Sequence, residues 1–284
     1  MILTLRSVWL TCRKNPYRMI AELSKLVNQI HNPILSESYV IQWGAPIPSF
    51  GDWTSAKIAT VGINPSNREF VKGSGAELEG SERRFHTLKS LSLTDWSEAS
   101  STHLNSIVST CKEYFKSNPY DSWFKKLDFL LSGTEYSYYF PSYLACHLDL
   151  VPYATSCKWG NLSIKEKTNL LSYTGDILGH IINESSILIL VLNGKSVVDN
   201  FEKLADLKLD RQIISSWTLP RKTSTGVVGY GYQGHVKEIG GVRLNRSIPV
   251  IGYNHNIQSS FGVTNEVLIE IKKWIASKVD EIVR

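Results

Sequence analysis

The sequence predicts an α/β protein in three layers, with helices on both faces of a central, four-stranded, mostly parallel sheet and a Gly-rich β-hairpin inserted before the last strand. Three observations carry this expectation. Short apolar runs alternate with stretches of helical periodicity, the order of parallel strands joined by crossover helices. Residues 187–192 are aliphatic throughout, as in a strand buried on both faces. Each predicted strand then runs into a polar loop, the place where open α/β sheets hold ligands.

Taken in order, Tyr17, Ile20, Leu23, Leu26, Val27 and Ile30 recur at helical spacing and predict a helix over 17–31. Pro33, Pro46 and Pro48 mark an irregular passage before the first strand, 58–63. A polar loop follows to Gly80, then a helix from about Glu82 with Phe85, Leu88 and Leu91 on one face. A Ser/Thr-rich loop covers 95–106, helices cover 106–116 and 120–132, and the second strand lies within 138–150. Ser163 with Glu166 three residues on forms a capping box for a helix running to about Ile182. After the third strand, Asn193-Gly194 leads into a helix over 195–205. Residues 219–246 are rich in glycine and carry Arg221, Lys222, Lys237, Arg243 and Arg246, which predicts an exposed basic insertion with a β-hairpin. A short strand over 249–252 and an amphipathic helix over 264–283 complete a single domain, with a helical extension over 1–50.

Bulk properties exclude several classes. With 42% hydrophobic and 20% charged residues, the 284-residue chain has the balance of a globular protein with a sizeable core. A net charge of +5 suits a nucleic-acid partner and equally suits solubility alone. Cys12, Cys111, Cys146 and Cys157 form no C-x-x-C pair and fit neither a zinc site nor an iron–sulfur cluster, so reduced thiols and no metal are expected. No apolar run reaches the roughly 18 residues of a membrane helix, and residues 1–14 are too interrupted for a signal peptide, so a cytoplasmic protein is expected. No P-loop or dinucleotide fingerprint is present.

Chemistry is best sought at the strand ends. The first delivers Gly62-Ile63-Asn64-Pro65-Ser66, where Gly62 permits close backbone approach and Asn64 offers both a donor and an acceptor. The second delivers Asp149, followed by Tyr153. The third delivers Asn193-Gly194-Lys195-Ser196 and the fourth Tyr253-Asn254-His255-Asn256. Each group alone is explained as a cap or turn residue; the four together would converge on one rim of the sheet.

In these residues the chain resembles the uracil-DNA glycosylase superfamily. Gly62-Ile63-Asn64-Pro65-Ser66 is similar to the first motif of its mismatch-specific and single-strand-selective branches, the run 187–196 to its later strand-turn, and 252–260 to the loop with which it precedes its last helix. Order and spacing agree over roughly 55–280. Asn256 replaces a proline of the last motif, and Asn67-Arg68-Glu69-Phe70 is more charged than the family's loop, so strict uracil specificity does not carry over.

The resemblance implies a monofunctional DNA glycosylase, monomeric and without cofactor or metal, that flips out a uracil-like or modified pyrimidine and hydrolyses its N-glycosidic bond. Hypermodified cytosines of phage DNA, in a defence role, fall within that class. It implies that Asn64 holds the water and that His255 donates to the base as negative charge develops. Asp149 is either a base-reading carboxylate or general base, or a cap partner. Gly62, Ile63, Phe70, Tyr153 and Asn193 would bound the base, with Phe70 stacking on it and Phe85 and Tyr153 as competitors for that role. Ser66, Lys195, Arg221, Lys222, Arg243, Ser259 and Ser260 would contact the DNA backbone, and Tyr230 or Tyr232 would either plug the duplex or pack in the hairpin. A non-catalytic member that senses a modified base is the alternative.

Overall fold

The computed structural model describes residues 16–221, 224–258 and 262–283. Along the chain run α1 (Pro16–Gln29), α2 (Pro33–Glu37), β1 (Ile58–Gly62), α3 (Ser101–Lys112), α4 (Asp121–Leu131) and β2 (Ala145–Asp149). There follow α5 (Ile164–Thr174), α6 (Asp176–Glu184), β3 (Ile189–Asn193), α7 (Lys195–Leu204) and β4 (Asp210–Ile213). The remainder is β5 (Leu219–Arg221), β6 (Ser224–Val227), β7 (Tyr230–Ile239), β8 (Val242–Tyr253) and α8 (Asn265–Val283). The main sheet has six strands in the order β2-β1-β3-β8-β7-β4. β2, β1, β3 and β8 are mutually parallel, while β7 and β4 add on antiparallel. The protein is therefore α/β with a mostly parallel mixed sheet, wider than the four strands expected.

One of the two extra strands, β7, has its origin in a turn. Gly240 and Gly241, both at positive φ, turn β7 back on β8, and Val236, Ile239, Leu244 and Ile248 bury the result. What reads in sequence as an exposed insertion over 219–246 is in large part sheet; a two-stranded ribbon, β5–β6, stands apart from it. The last strand is correspondingly 12 residues long rather than four. Two other expectations are corrected. Residues 82–91 form only short 3-10 turns in an irregular segment. The helix begun by the Ser163–Glu166 capping box ends at Gly175, where any Cβ would lie 2.3 Å from Leu204 and 2.6 Å from the Leu171 carbonyl oxygen; α6 starts anew beyond it.

Helices lie on both faces. A Cβ at Gly252 would meet Val198 of α7, whereas one at Gly231, the register partner of neighbouring Tyr253, would meet Trp274 of α8. Since successive residues point to opposite faces, α7 and α8 flank the sheet from opposite sides. On the α8 side, Phe50, Phe85, Tyr114, Phe115, Phe124 and Tyr138 form an edge-to-face and stacked aromatic cluster with centroids about 5 Å apart. Each such ring contributes roughly 1.5–3 kcal/mol by burial, and Phe50 and Phe124 of this cluster wall the cavity beside Asn64 and Asp149. Helix α1 packs on α3 and α6 and sends Leu23, Leu26, Val27 and Ile30 into the same core as β1.

Candidate active site at the ends of the first two strands

Register sets the site. In the parallel β1–β2 pair, Thr60 lies opposite His147 and Gly62 opposite Asp149. The period of two puts Thr60, His147 and Asp149 on one face of the sheet. Gly62 carries no side chain there for a reason: a Cβ would lie 2.3 Å from Asp149 Oδ1 and 2.7 Å from His147 Nε2. The glycine expected to admit a ligand instead makes room for a carboxylate and an imidazole of the protein itself.

These groups form a buried polar chain. The Tyr138 hydroxyl and Thr60 Oγ1 are hydrogen-bonded, Thr60 Oγ1 lies 2.7 Å from His147 Nδ1, and His147 Nε2 approaches Asp149 Oδ1 at 3.3 Å. A carboxylate only accepts, so the proton belongs on Nε2, and Nδ1 then accepts from Thr60 while Thr60 accepts from Tyr138. Burial holds the Tyr138 phenol well above its ordinary pKa, keeping it a donor.

Asn64 follows β1 directly. Its Nδ2 lies 3.1 Å from Thr155 Oγ1, 3.2 Å from the Pro65 carbonyl oxygen and 3.4 Å from that of Tyr153. Two carbonyls around one atom identify it as the NH2, so the amide orientation is fixed and Oδ1 remains available as an acceptor. Ser66 exposes its side chain and caps a short 3-10 helix, Asn67–Glu69, by accepting from the Arg68 N–H at 3.2 Å. That turn swings Glu69 inward, where it is only 2% exposed. Desolvation pushes its carboxyl up to about 8, against the opposing Tyr114 hydrogen bond and Arg84 charge.

Asn64, Glu69, His147 and Asp149 line one cavity of about 60 Å³, walled by Phe50, Tyr120, Trp123 and Phe124. A water takes roughly 10–15 Å³ by that measure, so the space suits a flat ring edge or a few waters. An open groove of about 430 Å³ adjoins it across Asn64, Pro65 and Ser66 and carries Arg68, Lys72, Lys158 and Trp159.

The other expected residues are placed differently. Phe70 is packed edge-on to Trp43, against Gly44, and does not reach the cavity. Tyr153 donates its hydroxyl to the Leu26 carbonyl at 2.6 Å, so its backbone rather than its ring meets Asn64. Phe85 belongs to the aromatic core. Ile63 supports the turn through its carbonyl, which accepts from the Val151 N–H at 2.9 Å. Asn193 accepts from the Tyr253 hydroxyl at 2.7 Å and donates to Gln258 at 3.3 Å. His255 is buried, and its Nε2 lies 2.6 Å from the Trp217 carbonyl oxygen, which can only accept. The N–H expected to serve a base is thus engaged, and burial holds the imidazole pKa below its ordinary value, so the ring is neutral.

Lys195 is exposed and paired with Asp199, and Arg243 is exposed on β8. Tyr230 and Tyr232 pack on each other within β7, Tyr230 also beneath Arg211. Lys222, Ser259 and Ser260, and the side chain of Arg221, lie outside the described residues. Outside this site, Glu22, Asp176 and His180 bring potential ligand atoms within 4.8 Å of one another. Lys25 already pairs with Asp176, and Arg18 lies 3.0 Å from His180 Nδ1, so two side-chain cations occupy the neighbourhood that a metal would need.

Sequence reasoning missed Glu69, His147, Phe50, Tyr120, Trp123 and Phe124 as parts of a site. One signal was present: His147 stands two residues before Asp149 in a strand, which puts both on one face. The aromatic walls come from segments far apart in sequence and left no such trace. Compared with models of known protein families and with curated proteins, the chain matches none.

Proposed function

We propose that the protein is a DNA glycosylase that hydrolyses the N-glycosidic bond of a flipped-out, uracil-like or modified pyrimidine and leaves an abasic site. The observation that carries this reading is the meeting of Asn64 and Asp149, from adjacent parallel strand ends, in one aromatic-walled cavity. Breaking that bond builds positive charge on the sugar and negative charge on the base, in the manner of glycoside hydrolysis. Asn64 Oδ1 would accept a hydrogen bond from the attacking water, and the Asp149 carboxylate would take its proton and stabilise the sugar cation. His147, locked by Thr60, would hold Asp149 in position. Phe50, Trp123 and Phe124 would receive the base and exclude solvent, strengthening every charge interaction inside.

The adjoining groove, with Arg68, Lys72 and Lys158, supports a path for the sugar–phosphate strand, and Trp159 could stack on an unpaired base. Because the His255 N–H is engaged by the Trp217 carbonyl, a base-sensing protein that does not cleave is the second reading. One experiment separates the two. Oligonucleotides carrying uracil, hydroxymethylcytosine or its glucosylated form, together with natural phage DNA, are incubated with the protein and probed for abasic sites by alkali cleavage. Abasic sites that vanish with Asn64→Ala support the enzyme. Binding without abasic sites on any substrate leaves only the sensor, and neither binding nor cleavage sinks both.

A further inference from the structure

Glu69 enters the cavity in a defined protonation geometry. Tyr114 Oη accepts from the Tyr120 backbone N–H at 2.9 Å, so its own proton goes to Glu69 Oε2, also at 2.9 Å. Oε2 is thereby committed as an acceptor, and a proton on the carboxyl belongs on Oε1, which has no hydrogen-bond partner among the described residues. The charged groups facing Glu69 are Arg84 and Asp149. The Arg84 guanidinium is spent on the carbonyls of Arg68 and Asn118, at 2.6 and 3.0 Å, and Asp149 shares the cavity with His147. Desolvation, reinforced by the like charge of Asp149, prevails over Arg84 and the Tyr114 bond, so that with a pKa of about 8 the carboxyl is mostly neutral at pH 7.

We propose that Glu69 is the proton donor to the departing base, opposite the Asp149 carboxylate, and that the cavity selects a base presenting a ring-nitrogen acceptor beside an amino group, the cytosine-type edge. This rests on the glycosylase reading above and names the residue that serves the leaving group. As water adds to the sugar carbon, the C–N bond breaks and its electron pair passes into the base. The Glu69 proton ends on the ring nitrogen, the water's proton goes to Asp149, and proton exchange with solvent resets both carboxyls once product leaves. In recognition, Oε1–H of Glu69 donates to the ring nitrogen, which a cytosine-type edge presents as a bare acceptor. A uracil-type edge sets its own N–H against that donor.

The test combines turnover with binding. Glu69→Gln keeps the shape and can still donate a hydrogen bond, but it cannot give up a proton. Its excision rate on a cytosine-type target should fall about 10²–10⁴-fold, with circular dichroism unchanged. The parent's rate should decline as pH rises through about 8, and the variant should lack that decline. Parental turnover in Glu69→Gln, or the same alkaline limb in both proteins, overturns the proposal. Binding of 1-methylcytosine and 1-methyluracil, followed by NMR titration at pH 6.5 and 9.5, reads the cavity without turnover. The parent should prefer 1-methylcytosine about tenfold or more at the lower pH, and lose that preference at the higher pH and in Glu69→Ala. Equal or pH-independent binding of the two overturns the assignment. A parent that excises nothing yet shows the preference refutes the glycosylase reading and keeps Glu69 only as the reader of the base edge, overturning its role as proton donor.

Discussion

The rim of the sheet has two halves that look alike in sequence and differ in what their polar groups do. At the ends of β1 and β2, Asn64 and Glu69 each keep one oxygen without a partner among the described residues, and both line a cavity with Asp149. At the ends of β3 and β8, polar groups are spent on the protein itself: Asn193 on Tyr253 and Gln258, Asn254 on Val228 and Tyr230, His255 on Trp217. The first half retains hydrogen-bonding capacity that a substrate can use; the second half joins loops that would otherwise leave buried backbone groups unsatisfied. A polar residue at a strand end can therefore serve a ligand only where its hydrogen bonds are incomplete.

Substitutions on the two sides should separate catalysis from folding. The largest effect is expected at the first half. Asp149→Asn keeps the volume and an acceptor for His147 but removes the proposed base, and should cost about 10²–10⁴ in excision rate with little change in denaturation midpoint. Gly62→Ala should be comparably damaging through displacement, since the added methyl overlaps Asp149 and His147. An active Gly62→Ala protein would remove the register argument from the site.

Glu69 comes next, read through stability. Its native carboxyl stays protonated up to about 8 against 4.5 for an ordinary glutamate. Below about pH 4.5 both states hold the proton and nothing is lost. As pH rises towards 8 the unfolded chain releases it first, so stability falls. Above 8 the penalty is constant, a few kcal/mol at roughly 1.4 kcal/mol per pKa unit. Glu69→Gln should match the parent in urea denaturation near pH 4.5 and exceed it above pH 8. A difference that does not grow with pH would show that Glu69 ionises normally in the native protein.

At the second half, His255→Ala should cost about 1–3 kcal/mol by leaving the Trp217 carbonyl without its donor. Excision per folded molecule should stay within about threefold of the parent, an expectation resting on the roughly 0.6 kcal/mol that such a ratio represents. A stable His255→Ala protein that had lost activity would reverse the comparison and restore the role that the superfamily resemblance gives this histidine.

The parallel strands and their helices were legible because each rests on a local pattern: the aliphatic run of β3, the helical spacing of α1, the capping box before α5. That β7 joins the main sheet was not, since alternation broken by Gly231 and Gly234 reads as an exposed hairpin until β8 is there to carry it into the sheet. For the site, Asn64 and Asp149 stood out as polar residues ending apolar strands. Glu69 did not, because a glutamate in a charged run reads as solvated surface, and only the 3-10 turn after Ser66 carries it inside. His255 shows the opposite case: its position in the motif was visible, while the Trp217 carbonyl that engages its Nε2 comes from 38 residues away.

Lys195 gives the smallest expected effect and the finest distinction between the two halves. It begins α7 at the second half of the rim, exposed and paired with Asp199 one turn on. An exposed pair of that kind contributes about 0–1 kcal/mol, so Lys195→Ala should leave stability within roughly 0.5 kcal/mol of the parent. If it contacts a phosphate, its loss should reduce the slope of log affinity against log salt by about one. Lys158→Ala, in the groove beside Asn64, should produce that reduction, whereas Lys195→Ala should not. A reduced slope for Lys195→Ala alone would send the DNA strand across β3 and β8, away from the cavity that holds Asn64 and Asp149.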